Sequence, residues 1–121
     1  MLPKNERLRT SREFSTTYNQ KKSVANSLLI MYLGRKKTNE EVPTKTGFVV
    51  SKKIHKRAVK RNRAKRLMRE AYRNTRKNDD FLLKDYEYII FLARPQILEA
   101  NYNQVYDAVI NCFTKARKKF E

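Results

Sequence analysis

The stretch Lys56–Arg76, KRAVKRNRAKRLMREAYRNTR, decides how this chain is read. Ten of its residues are Lys or Arg, one (Glu70) is acidic, and no Gly or Pro interrupts a helix. Wound at 100° per residue, it separates into two faces. Ala64, Leu67, Met68, Ala71 and Thr75 gather on one side, with Tyr72 at its edge. Asn62, Lys65, Arg66, Arg69, Arg73 and Arg76 gather on the other, at the i, i+3, i+4, i+7 spacing of a single stripe. A merely solvated charged face needs acidic partners at i±4, and Glu70 is the only one available. The pattern predicts a helix that packs one side on a core and offers the other to a polyanion.

Strands flank this helix. Thr46–Lys52 (TGFVVSK) has the β-branched and aromatic composition of a strand. Lys77-Asn78-Asp79-Asp80 ends the helix, and Asp85–Ala93 (DYEYIIFLA) is the strongest strand signal in the chain. There Tyr86, Tyr88, Ile90 and Leu92 alternate with Glu87, Ile89, Phe91 and Ala93, so both faces are at least partly covered; Pro95 stops the strand. Toward the N-terminus, Thr10-Ser11-Arg12-Glu13 has the form of a capping box and opens a first helix, Ser11–Lys21. Asn26–Gly34 reads as a strand, and Gly34 with the polar run Arg35–Lys45 as a loop. A last helix, Asn101–Lys118, carries Val105, Val109, Cys112, Phe113 and Ala116 at helical spacing, with a basic end, Lys115–Lys119, expected to fray. The order is helix, two or three strands, helix, strand, helix. It predicts an α+β sandwich, a small mixed sheet packed with three helices and containing a strand–helix–strand crossover.

At 121 residues the chain is expected to form one domain, 1–121, that buries roughly two-thirds of its unfolded surface. Its 40% apolar content and seven Tyr and six Phe suffice for a compact core. The formal charge of +17 repels itself in the compact state and is tolerated mainly where a polyanion neutralises it. Nucleic acid is the first candidate and an anionic membrane the second. No apolar run approaches the roughly 20 residues that span a bilayer; the longest, Leu28–Leu33 and Tyr88–Ala93, have strand length. The N-terminus MLPKNERLR is charged, with no apolar region following, so no signal peptide is expected. A lone cysteine, Cys112, excludes an internal disulfide and suits a reducing compartment. The expectation is a cytoplasmic protein without a membrane partner.

Residues for protein catalysis are scarce. His55 is the only histidine, stands beside Lys56 and Arg57, and reads as a solvent-facing loop residue. Cys112 lies on the apolar stripe of the last helix and reads as packing. Asp79-Asp80 reads as a turn rather than a metal pair, and with two glycines there is no phosphate-cradling loop. Binding is better supplied: Arg offers bidentate forks to phosphate oxygens, and Lys a mobile point charge. Phe14 and Tyr18 share a face of an otherwise polar helix. With Tyr32 they could border a groove in which single-stranded bases stack, at about 1–3 kcal/mol per base, or they could be core. The pattern leaves both open.

The run Arg61-Asn62-Arg63-Ala64-Lys65-Arg66-Leu67-Met68-Arg69-Glu70 resembles the RNR signature of the bacterial ribonuclease P protein subunit. Ser51-Lys52-Lys53 and Ala58-Val59 fit the same pattern, as do Leu8, Glu13-Phe14 and Tyr18, then Ser23-Val24-Ala25-Asn26. Asp85-Tyr86 through Ala93-Arg94-Pro95 resembles the family's last strand and its exit. The similarity covers nearly the whole chain. It differs in one loop, where His55-Lys56-Arg57 stands for a common Gly-Asn, one residue longer and without the permissive Gly. A Gly often found after the first helix is also replaced, by Lys21 or Lys22.

The resemblance implies a fold of the S5 domain 2-like type, with an unusual left-handed βαβ crossover around the basic helix. It implies two RNA partners, a large catalytic RNA and precursor tRNA, with one protein per RNA. The RNA, using Mg2+, hydrolyses the phosphodiester that joins the 5′ leader to the tRNA, so no catalytic residue and no metal site is expected in the protein alone. Carried over by position, Lys52, Lys53, Arg61, Asn62, Arg63, Lys65, Arg66, Arg69 and Arg73 would face the catalytic RNA. Phe14, Tyr18 and Tyr32 would line a cleft for the single-stranded leader. A structural RNA-binding protein of ribosomal type shares the charge but has no need of such a cleft. A DNA-binding regulator reading a duplex with Arg63–Arg76 would prefer a defined duplex site over structured RNA. A protein-only nuclease would have to cleave without any RNA subunit.

Overall fold

The computed structural model describes residues 4–37, 43–77 and 86–120. Three helices, α1 (Ser11–Asn19), α2 (Ala58–Arg76) and α3 (Tyr102–Phe120), pack on four strands: β1 (Lys22–Ala25), β2 (Leu29–Leu33), β3 (Lys45–Val49) and β4 (Tyr88–Ala93). The sheet order is β1-β2-β4-β3, with β1/β2 and β2/β4 antiparallel and β3/β4 parallel. The expected mixed sheet and crossover are both present: α2 carries the chain from β3 to its parallel neighbour β4. Asp79-Asp80 and Asp85 lie outside the described residues.

One face of the sheet builds the core. Leu29, Met31 and Leu33 of β2 and Ile89, Phe91 and Ala93 of β4 are buried and alternate toward the two long helices. α2 answers with Ala64, Met68, Ala71, Tyr72 and Thr75, and α3 with Val105, Val109, Cys112, Phe113 and Ala116. The ring of Phe91 sits 5.6 Å from Tyr72 and 6.1 Å from Phe113 between centroids. Tyr72 is therefore core, not edge; its hydroxyl bonds Thr46 Oγ1 at 2.9 Å, pinning α2 to β3. Burial pushes the Cys112 thiol up to about 12, against the opposing pull of Lys115 and the Asn26 amide, so the packing role expected for it holds.

A hairpin stands where the sequence predicts a single strand. Asn26–Gly34 is not one strand: Asn26 turns the chain, and Lys22–Ala25 pairs back on Leu29–Leu33. Asn26 Oδ1 accepts from the Leu28 and Leu29 amides at 3.0 Å each, a side-chain turn that needs neither Gly nor Pro. Asn26 Nδ2 donates to the Ala108 carbonyl at 3.0 Å and to Asn111 Oδ1 at 3.1 Å, so this turn is fastened to α3. Nor is the end of α3 frayed. The helix continues to Phe120, and Lys115 Nζ and Lys119 Nζ donate to the carbonyls of Ala25 (2.7 Å) and Ser23 (3.2 Å) on β1.

α1 opens as its capping box predicts: Thr10 Oγ1 accepts from the Glu13 amide at 3.2 Å, and Glu13 Oε1 accepts from the Thr10 amide at 3.0 Å. It ends two residues before the expected Lys21. Lys21 itself takes the left-handed conformation, φ 55°, just past the end of α1. Only Gly adopts that conformation without a Cβ penalty. Lys21→Gly is expected to stabilise the fold by about 1 kcal/mol, read as a rise of about 3–6 °C in thermal midpoint. An unchanged or lower midpoint would contradict the strain.

Candidate RNA interface

α2 presents its cations in three settings. Asn62, Arg66 and Arg73 are exposed along the outer line of the helix. Lys65 and Arg69 lean toward β3, where with Arg7, Leu8, Thr46, Gly47 and Phe48 they line a recess of about 180 Å³. Among the described residues no carboxylate pairs with Lys65, Arg66, Arg69 or Arg73. Arg76 differs: it is tied to Glu6 Oε2 at 3.1 Å and sits over the Tyr72 ring at 5.9 Å. The predicted stripe is real, and its last member is committed to holding the N-terminal segment.

The two arginines of the signature tripeptide point elsewhere. Arg61 donates through one guanidinium nitrogen to the carbonyls of His55 (2.9 Å) and Lys56 (2.7 Å), and Arg63 donates to the Ala100 carbonyl at 3.2 Å. Each guanidinium has five N–H groups, so donors remain for a phosphate. Their anchored bonds brace the loop before α2 and the start of α3, leaving Asn62 exposed between them. His55 is not the bare loop residue expected; it is half-buried, and its Nδ1 accepts from the Arg57 amide at 3.0 Å. Lys52 and Lys53 are exposed on a turn closed by the Ile54 amide on the Ser51 carbonyl at 3.0 Å. No side chain caps α2 and no acid occupies its first turn, so the positive end of the helix dipole adds to these charges.

The other face of the sheet carries the aromatic residues. Register places Ser23, Tyr32, Ile90 and Gly47 in one row across the four strands. α1 lies over this row. Tyr18 meets Tyr32 edge to face at 4.8 Å, and Phe14 rests on Gly47, where a Cβ would come within 2.9 Å of its ring. Tyr18 remains 37% exposed. Burial, then the neighbouring Tyr32, pushes its hydroxyl above the ordinary range, so it stays a donor. The structure thus joins Tyr18 and Tyr32 directly and sets Phe14 one turn back on α1, half-buried against Gly47.

The next row, Ala25, Ile30, Leu92 and Val49, lies beyond the helix and is only partly covered. It forms an apolar floor that the sequence reading did not single out as a site. The alternation in LIMYL and YIIFLA held that signal, because Ile30 and Leu92 fall on the face opposite the core. Arg94 borders the floor and donates to the Asn26 carbonyl at 3.1 Å.

Glu13 holds the wall of this cleft in place. Burial alone would raise its carboxyl; the Lys45 ammonium at 2.9 Å and the amides of Thr10 and Arg9 outweigh that and hold it at about 2, against an ordinary 4.5. A depressed folded value means stability present above about pH 4.5 and lost as pH falls toward 2. Glu13→Gln is expected to cost about 1–2 kcal/mol at pH 7 and far less near pH 2.5, measured by denaturant unfolding at both. An equal cost at the two pH values would refute the linkage.

A family model described as Ribonuclease P matches residues 2–117. The chain is also 37% identical over 109 residues to the ribonuclease P protein component of Alkaliphilus oremlandii, covering 90% of this chain and 89% of that one. The chain belongs to the ribonuclease P protein family. The ribonuclease P protein of Staphylococcus aureus superposes with a TM-score of 0.74 at 28% identity, covering 94% of this chain and 97% of that one. That of Thermotoga maritima gives 0.73 at 26%, covering 91% and 96%. Ribonuclease P proteins are subunits of an RNA-based endoribonuclease, and processing of the tRNA 5′ leader is the function of the family. A ribonuclease P protein with Arg, Lys and Asn on its exposed helix presents donors for phosphate oxygen. Mg2+ requires hard oxygen ligands, and among the described residues no group of three His, Cys, Asp or Glu side chains could hold a metal ion. No described helix is long and apolar enough to cross a membrane.

Proposed function

We propose that this chain binds the catalytic RNA of ribonuclease P through α2 and holds the 5′ leader of precursor tRNA on the opposite face of the sheet. The observation that carries the reading is this division of labour within one sheet: on one side a face whose Lys65, Arg66, Arg69 and Arg73 have no acidic partner among the described residues, and on the other a half-open aromatic and apolar cleft. Lys52, Lys53, Asn62, Lys65, Arg66, Arg69 and Arg73 contact the catalytic RNA, with Arg61 and Arg63 contributing their remaining donors. Tyr18 and Tyr32 stack on leader bases, Phe14 lines the cleft one turn back on α1, and Ile30, Leu92 and Val49 form the floor. Such a cleft distinguishes the reading from a structural RNA-binding protein, which has no use for it.

The chain's own residues bind, orient and neutralise; hydrolysis of the phosphodiester belongs to the RNA subunit, with one protein per RNA and Mg2+ held by RNA oxygens. Cations on α2 screen the phosphates crowded around the RNA's metal sites, so the complex needs less Mg2+ to fold and act. The complex works in the cytoplasm. The test mixes purified protein, ribonuclease P RNA and precursor tRNA at low Mg2+ and measures leader release. Strong stimulation by the protein that fades as Mg2+ is raised is expected; no stimulation at low Mg2+ would sink the reading, and cleavage without the RNA subunit would revive a protein-only nuclease.

A further inference from the structure

The apolar floor has two ends, and both are basic. At β3 the row finishes on Val49, followed within four residues by Lys52 and Lys53 at the approach to α2. At β1 it finishes on the exposed Ala25, and here Lys115 Nζ donates to the Ala25 carbonyl at 2.7 Å. Lys119, one turn along α3, donates to the Ser23 carbonyl at 3.2 Å. Ser23 and Ala25 lie on the outer strand of the sheet, so two ammonium groups are parked along the sheet's open edge. Each has three donors and uses one on a carbonyl; the Lys119 ammonium also lies 5.3 Å from the Phe120 ring centroid, and both side chains are exposed, so donors remain for a phosphate. Lys118 and Lys21 are exposed nearby in sequence, and Lys22 opens the same strand. Among the described residues, the acidic side chains of this flank, Glu99 and Asp107, lie toward the start of α3, past Asn111. An anion leaving the floor over Ala25 is thus drawn along Lys115 and Lys119 and repelled from the other direction.

We infer that Lys115 and Lys119 form a second phosphate track that takes the upstream part of the leader as it leaves the cleft over β1. The inference rests on the leader-cleft reading and extends it. The floor crosses three interstrand gaps of about 4.8 Å, about 14 Å in all, which holds only a few nucleotides. Longer leaders must leave the sheet, and the edge carbonyls hold the two ammonium groups at the place where they do. Arginine dominates α2, where bidentate recognition of structured RNA is useful; lysine at the β1 edge suits a mobile single strand that needs charge without geometry.

The test titrates the complex of this protein and ribonuclease P RNA with precursor tRNAs carrying leaders of about 3 and about 10 nucleotides, across a range of salt. For the unaltered protein, the long leader is expected to give a log–log salt slope steeper by about 1.4, two contacts at about 0.7 each. Lys115→Gln with Lys119→Gln should abolish that excess and weaken long-leader binding about 10-fold at about 0.15 M salt, leaving the short leader and mature tRNA unchanged. The arginine pair, Lys115→Arg with Lys119→Arg, should retain it. Equal slopes for the two leaders with the unaltered protein, a comparison that needs no variant to fold, would overturn the inference, and so would equal loss for both leaders in the glutamine variant. If short-leader precursor binds no better than mature tRNA, the leader-cleft reading itself falls; if that preference stands and the slopes are equal, only the lysine track falls.

Discussion

Neutralising Lys65, Arg66, Arg69 and Arg73 together with Gln is expected to lower the affinity for ribonuclease P RNA on the order of 10³-fold at about 0.1 M salt. Each phosphate contact adds roughly 0.7–0.9 to the salt slope, so four contacts account for about 2.8–3.6. Carried from about 1 M salt down to about 0.1 M, a slope change near three is about three decades in binding. The fold should survive, because the core side of α2 is Ala64, Met68, Ala71, Tyr72 and Thr75 and none of the four altered residues belongs to it. Removing four charges from a chain of +17 should even raise the thermal midpoint in low salt, by easing self-repulsion. A control variant neutralising Arg12, Lys21, Lys36 and Lys118 removes the same charge elsewhere. Equal loss in both variants, followed by filter binding across a salt series, would show that net charge alone governs binding and that α2 is no specific surface.

Replacing Tyr18 with Ala is the second large effect, and it should be selective. Precursor tRNA should lose about 10-fold in affinity, within the range of 1–3 kcal/mol per stacked base, while mature tRNA should bind as before. Tyr18 suits this test because it is 37% exposed and meets Tyr32 only edge to face, so its removal opens no closed cavity. Adding Phe14→Ala should deepen the loss to about 10²-fold, but it also strips the ring that packs on Gly47 and should cost about 2–3 kcal/mol of stability. Tyr18→Phe keeps the face of the ring and should keep the affinity. Equal weakening of precursor and mature tRNA by Tyr18→Ala would return the protein to the structural RNA-binding class.

How much of this could be read in advance depends on how local each cause is. α2 was legible because its apolar and basic stripes repeat at helical spacing over five turns with no breaker, and every cause lies within the segment. The capping box at Thr10 and Glu13 was legible for the same reason. The β1–β2 hairpin was not: KSVA is short, and the turn is made by the Asn26 side chain, whose anchor Ala108 lies 82 residues away. Helical spacing did not reveal that Arg61 and Arg63, which lie off the stripe, are anchored to carbonyls. Their partners, the carbonyls of His55, Lys56 and Ala100, come together only in the folded chain. Phe14 shows the same limit. Its spacing with Tyr18 permitted either core or ligand platform, and only the folded chain shows that one edge of the ring rests on Gly47 of β3.

Roofed by Tyr72 and Phe113 on one side and floored by α1 on the other, β4 makes the middle of this protein a slab that does not yield. Packed interiors switch between arrangements rather than stretch, so the distance through that slab is a fixed length. On the proposed reading, one RNA is gripped above the slab and another is laid beneath it. The protein is then a gauge: by its thickness alone it sets how far the leader lies from the ribozyme, and so helps choose the bond at which the two strands of chemistry meet.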